Sequence, residues 1–223
     1  MTKQQIIDMI DYTLLKPTAT KEDITIFCNE TIEHGFKTVF VNPYYVKHAY
    51  DLLSPHHIKV GVPIGFSLGG ATTKTKVVET KEAIQNGALE IDMLINLGAL
   101  KSKEFDIVKN DIAEVVKASE GLTTKVIIET ALLTNEEKVV ACQLIMEAGA
   151  DFVKTATGFN GGGATVEDVQ LLRSVVGNDF GVKAAGGVRT YEDAVNIIAA
   201  GANRIGTSGA IAIISGQTST AAY

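Results

Sequence analysis

Short runs of β-branched residues alternate with longer stretches of helical periodicity along the whole chain, and they do so eight times. The runs begin at Asp11 (DYTLL), Phe36 (FKTVFVN), Ile58 (IKVGVPIG), Leu89 (LEIDMLIN), Thr124 (TKVIIET), Asp151 (DFVKT), Phe180 (FGVKAA) and Asn203 (NRIGTS). Between them, residues 21–34, 72–86, 102–119, 134–148, 165–176 and 190–199 carry apolar side chains at helical spacing. Helix ends are marked as well. Thr134 with Glu137, Thr165 with Asp168 and Thr190 with Asp193 pair an N-cap with an acid three residues later, and Gly35, Gly87, Gly149, Gly177 and Gly201 fall where helices stop. Strands apolar on both faces and joined by helices belong to a parallel sheet covered by helices. Eight such units in 223 residues predict a compact (β/α)8 barrel, a single α/β domain over residues 1–223. The competing architecture is an open doubly wound sheet. Its dinucleotide-binding form needs G-x-G-x-x-G after the first strand, and DYTLLKPTAT has no glycine.

Charge narrows the partners. With 20 Lys+Arg against 26 Asp+Glu and a net charge of -6, the chain lacks the basic stripe that nucleic acid or an anionic membrane requires. A small anionic ligand remains compatible. Asp8 and Asp11 interrupt the segment where a signal peptide needs an apolar core, and no apolar run approaches the ~18 residues of a membrane span. Cys28 and Cys142 lie far apart in apolar helical patterns, which reads as buried thiols in a reducing compartment. The expectation is a cytoplasmic protein.

In a (β/α)8 barrel the reactive groups stand at the C-terminal ends of the strands. That rule places Lys37, Lys59 and Lys125, near their strand starts, on the opposite rim in solvent. Lys154 in DFVKTATG and Lys183 in FGVKAAGG come late in the sixth and seventh strands, toward the mouth. Either lysine alone reads as readily as a surface ion-pair partner. Together they carry chemistry: an amine attacks a carbonyl only when unprotonated, a free lysine titrates near 10.4, and a second ammonium in a site of low dielectric lowers that value. Two cations on neighbouring strands suit a Schiff-base enzyme.

Such chemistry also moves protons. Asp92, amid Leu89, Ile91, Met93, Leu94 and Ile95, is costly to bury unpaired and is the leading carrier, with a salt-bridged core acid as the plainer reading. Glu129 is a weaker candidate, and Asp11 and Thr13 can reach the same mouth. Glycines after the last strands (Gly158, Gly186, Gly187, Gly206 and Gly209), with the hydroxyls of Thr157 and Ser208, read as a phosphate cradle of backbone N–H groups. No metal and no organic cofactor is implied: H-E-x-x-H, C-x-x-C and the P-loop are absent, and His34, His48, His56 and His57 fall in helices or on the wrong face.

The motifs DYTLLKP, VNP, IGFSLG, EIDMLINLGALK, KVIIET, ADFVKTATGF, GGGAT, VKAAGGVRT and RIGTS, in this order and spacing, resemble the deoxyribose-phosphate aldolases. The resemblance implies a class I aldolase that cleaves 2-deoxy-D-ribose 5-phosphate reversibly to D-glyceraldehyde 3-phosphate and acetaldehyde. It makes Lys154 the imine former, Lys183 the lysine that depresses its pKa, and Asp92 the water-assisted proton relay. It also places the family's first-strand pair on Asp11 and Thr13, its phosphate contacts on Gly158, Gly187, Val188, Gly206 and Ser208, and its C-terminal tyrosine on Tyr223. A homo-oligomer, expected as a dimer, follows from the same resemblance. Family members often carry His at Tyr12, Cys at Phe40, Pro at Ser67, and Ser at Ala156 and Gly209. An isomerase or longer-donor aldolase, or a catalytically silent phosphosugar-binding barrel, stays open beside this reading because fold does not fix function.

Overall fold

The computed structural model describes residues 1–220, so Tyr223 lies outside the described residues. Eight strands, β1 (Ile10–Leu14), β2 (Thr38–Val41), β3 (Lys59–Ile64), β4 (Glu90–Leu94), β5 (Thr123–Ile127), β6 (Phe152–Lys154), β7 (Gly181–Ala185) and β8 (Arg204–Thr207), pair in parallel and in chain order. The seam excludes an open sheet: Ile10, Asp11 and Tyr12 register with Ile205, Gly206 and Thr207, closing the barrel. Around it run α1 (Lys3–Met9), α2 (Lys21–His34), α3 (Val46–Leu53), α4 (Thr73–Gln85), α5 (Leu97–Lys101), α6 (Phe105–Ala118), α7 (Asn135–Glu147), α8 (Val166–Val176), α9 (Tyr191–Ala199) and α10 (Ala210–Ile214).

The written caps are real. The hydroxyls of Thr134 and Thr190 accept from the N–H three residues on, and Glu137 and Asp193 answer as capping boxes. Thr165 caps α8 in the same way, but Asp168 turns instead to the Lys138 ammonium of α7 at 2.6 Å. Four helices are not read from the sequence. α1, α5 and α10 span only 7, 5 and 5 residues, too short for a periodicity to repeat, although Thr2 with Gln5 and Asn96 cap the first two. α3, with Val46, Ala49 and Leu53 buried on one face, follows directly on a tight turn at Pro43–Tyr45.

Alternation along the strands separates two environments. Val39, Val60, Ile91, Val126, Val153, Val182 and Ile205 are fully buried between barrel and helices, each worth about 1.5–3 kcal/mol of apolar burial. The other set lines the barrel and is largely ionic: Asp11, Asp92, Lys125, Lys154 and Lys183 are all buried there. Lys125 corrects the expectation from sequence. β5 begins at Thr123, one residue before the run read from the sequence, so Lys125 is its third residue, registers with Asp92, and is wholly buried. Lys59, at the true start of β3, keeps its side chain in solvent as expected.

Candidate active site

β6 and β7 pair with Lys154 directly opposite Lys183. Both side chains reach inward to one atom: Asp92 Oδ2 is 2.9 Å from Lys154 Nζ and 2.6 Å from Lys183 Nζ. The other oxygen of Asp92 accepts from Lys125 at 3.0 Å, and Lys125 also donates to Glu90 Oε2 at 2.6 Å. Asp11 contacts Lys183 at 2.6 Å and accepts from Arg204, whose guanidinium also reaches Glu90 at 3.2 Å. The Lys183–Asp11 contact is ionic only, because Asp11 Oδ2 makes no hydrogen bond of good angle. Two strands absent from the lysine pairing, β1 and β4, therefore supply its counter-charges, while β5 and β8 add two further cations.

The count does not balance. Lys125, Lys154, Lys183 and Arg204 face Asp11, Glu90 and Asp92, one acid short, in a space where a lone charge costs several kcal/mol. Burial pushes Asp92 upward, but the ammoniums of Lys125, Lys154 and Lys183 outweigh it and hold the carboxyl well below the usual range. Asp11 is likewise held low: burial is outweighed by Lys183, Lys125 and Arg204. Lys183 gives way instead. Burial first, then repulsion from Lys154 and Lys125, bring it down to about 8 against the pull of Asp11 and Asp92.

Access distinguishes the two amines. Lys183 is 1% exposed and held by two carboxylates and an aromatic face, whereas the Lys154 side chain is 7% exposed and pairs with Asp92 alone. Thr13 stands two residues above Asp11 and donates its hydroxyl to that residue's carbonyl at 2.9 Å.

Above the lysines the strand ends open into a cavity of about 420 Å³ lined by Gly158, Gly187, Val188 and Ser208, with Arg189 and Ser219 beside them. Its floor needs glycine. A Cβ on Gly163 would come within 2.8 Å of the Gly186 carbonyl, and both Gly186 and Gly187 have φ of +79°. Two residues expected in the cradle do not line it. Thr157 uses its N–H (3.1 Å) and its hydroxyl (2.6 Å) on Glu129, and Gly206 lies lower in β8, against the stem of Lys183.

Glu129 does not face the lysines either. Its left-handed backbone turns the carboxylate toward the loop after β6, where it also accepts from Asn160 at 2.8 Å. It is a loop anchor. The departures from the family pattern have physical reasons where they touch the site. Tyr12 points outward, donating to Glu30 at 3.0 Å and packing on Phe27. A side chain at Gly209 would collide with Ser219, whose own side chain occupies that wall of the cavity. Sequence reasoning missed Glu90, Arg204 and Ser219, placed Lys125 on the wrong rim, and took Phe40 only as a departure from the family pattern. For Glu90, Arg204 and Lys125, an ionisable residue within a short apolar run was the available signal, the same one that pointed to Asp92.

The chain is 63% identical to "Deoxyribose-phosphate aldolase 2" of Oceanobacillus iheyensis over 223 residues, all of both chains. It is 60% identical to the deoxyribose-phosphate aldolase of Thermococcus kodakarensis over 220 residues, 97% of this chain and 98% of the relative. The tetrameric deoxyribose phosphate aldolase structure from Aeropyrum pernix superposes with a TM-score of 0.90 at 33% identity, covering 96% of this chain and 91% of that one. The model of the DeoC/LacD family aldolases matches residues 6–216. With its barrel closed around a buried lysine pair, the chain belongs to the DeoC/LacD aldolase family.

Proposed function

We propose that this protein is a deoxyribose-phosphate aldolase that cleaves 2-deoxy-D-ribose 5-phosphate reversibly through an imine on Lys154. The observation that carries this reading is the single carboxylate oxygen, Asp92 Oδ2, shared by the Lys154 and Lys183 ammonium positions beneath a glycine-lined cavity. One oxygen touching both nitrogens gives a proton a path between them that does not cross solvent. With one acid short, burial and the neighbouring cations bring Lys183 down to about 8.

The steps follow from the groups present. The neutral Lys154 amine adds to C1 of the open-chain sugar, and the resulting carbinolamine loses water after Asp92, through a bound water, returns the proton to its hydroxyl. The protonated imine then draws the C2–C3 bonding electrons as the C3 hydroxyl loses its proton. That releases glyceraldehyde 3-phosphate and leaves the enamine of acetaldehyde. Protonation at C2 and hydrolysis free acetaldehyde and restore Lys154. Asp11 and Arg204 fix Lys183, and Thr13 borders the mouth. Gly158, Gly187, Val188 and Ser208 hold the phosphate, whose binding energy positions C1 remotely from the bond broken. Tyr223 would assist proton transfer at the enamine carbon. Two free, buried cysteines support a cytoplasmic setting, and a homodimer is the assembly this reading expects.

Acetaldehyde with borohydride tests the chemistry: reduction should add two carbons to Lys154, mapped by mass spectrometry. Absence of an adduct while deoxyribose phosphate still binds would leave the silent barrel standing. A second expectation concerns durability. Burial pushes the thiols of Cys28 and Cys142 up to about 12, and Phe40 occupies the position where relatives often have cysteine. Only about one thiol in 10⁵ is ionised at pH 7, so prolonged high acetaldehyde should cost little activity. Inactivation with a mass increment on either cysteine would contradict it.

A further inference from the structure

The shared proton raises a question that Asp92 alone does not answer: its Oδ2 contacts both amines and does not decide which of them is the ammonium. Asp11, 2.6 Å from Lys183 Nζ, favours the ammonium there against burial and the neighbouring cations, and the inner face of β2 adds to its pull. Phe40 is 1% exposed, and its ring centroid stands 3.7 Å from Lys183 Nζ, 4.8 Å from Lys125 Nζ and 5.8 Å from Lys154 Nζ. The ring lies over β3 at Gly61, where any Cβ would penetrate it, so a glycine on the neighbouring strand makes room for this aromatic side chain. Around Lys183 the remaining strands supply Asp11 (β1), Asp92 (β4), Lys125 (β5), Lys154 (β6) and Arg204 (β8). Phe40 is the neutral member of that ring of charges, and it is much closer to one lysine of the pair than to the other.

We propose that Phe40 is a positioning residue for the reaction: its π-face holds the ammonium on Lys183 and thereby leaves the free amine on Lys154. A cation over an aromatic face is attracted by the ring quadrupole, most strongly when both are desolvated. The attraction falls off with distance, so contact at 3.7 Å outweighs one at 5.8 Å. The ring thus supplies what a fourth carboxylate would otherwise supply, without a site that could take the proton. This deepens the Schiff-base reading and rests on it.

Fluorination tests it without changing shape. Mono-, di- and trifluorinated phenylalanines at position 40 progressively empty the π-face while filling the same space. The readout is the rate at which acetaldehyde is trapped on Lys154 by cyanoborohydride. At pH 7 that rate should fall stepwise, by up to about thirtyfold at full fluorination, with any new label appearing on Lys183. At about pH 11.5, above the ordinary lysine range, the series should converge. Phe40→Leu should resemble the trifluorinated protein, and Phe40→Tyr should restore the rate. A series flat at pH 7, or a loss equally large at about pH 11.5, overturns the role of the ring while leaving the aldolase reading intact. Absence of an adduct on Lys154 in the unsubstituted protein overturns both.

Discussion

Replacing Lys154 by methionine should lower kcat/KM for deoxyribose phosphate cleavage by about 10⁴-fold or more and leave the folded protein at least as stable. The two halves come from one count. Lys154 is the more exposed amine of the pair and the one with a single acceptor, so no neighbouring amine is placed to replace it as nucleophile. Removing it also removes the one basic group that the cluster can keep charged only with no acid left to balance it. Lys125, Lys183 and Arg204 then balance Asp11, Glu90 and Asp92, and an unpaired buried charge is what makes such clusters expensive. Methionine is close to lysine in length and fills the same channel without a polar atom. Urea denaturation should therefore show an unfolding free energy unchanged or raised by about 1 kcal/mol. Activity above one per cent of the original would exclude Lys154 as the imine former. Destabilisation beyond about 2 kcal/mol would instead contradict the charge count.

The barrel was legible because its signals are local. Each strand is buried on both faces, and Thr134, Thr190, Gly35 and Gly177 close their helices through contacts within a few residues. The lysine pair and Asp92 were legible for another reason: an ionisable side chain late in a short apolar strand must be paid for by partners. What remained hidden depends on register. Lys125 looked like a strand start, and only the pairing of Asp92 with Lys125 brings it under the site. Glu90 and Arg204 belong to the cluster because β4 and β8 close around the same axis, a relation spanning 114 residues. Thr157 shows the opposite case. Its position after β6 suits an anion, but Glu129, 28 residues earlier, captures both of its donors. The space at Gly209 is likewise explained by Ser219, which the chain brings back beside it only after α10.

Asp92→Asn should have the largest combined effect. Asparagine keeps the shape but leaves four buried basic groups with two carboxylates, and removing one partner of a buried ion pair costs about 3–5 kcal/mol. In a chain of this size that corresponds to a fall of about 10 °C in Tm at pH 7. Activity should drop by about 10²–10⁴-fold as the proton relay is lost. The pH dependence separates this from a packing defect. In the unsubstituted protein the Asp92 carboxyl is held far below its unfolded value near 3.9, so its stabilisation is fully present above that pH. It is lost only as pH falls below about 4. Once the carboxylate is gone, the lysine cluster must shed protons to remain buried, while the same lysines in the unfolded chain keep theirs until about 10.4. The unfolded state then binds more protons, and stability must rise with pH. The deficit should therefore shrink between pH 7 and 9.5, because the variant gains more stability over that range than the parent, in which Lys183, held down to about 8, gains some as well. A deficit constant across that range would mean that Asp92 contributes shape rather than charge.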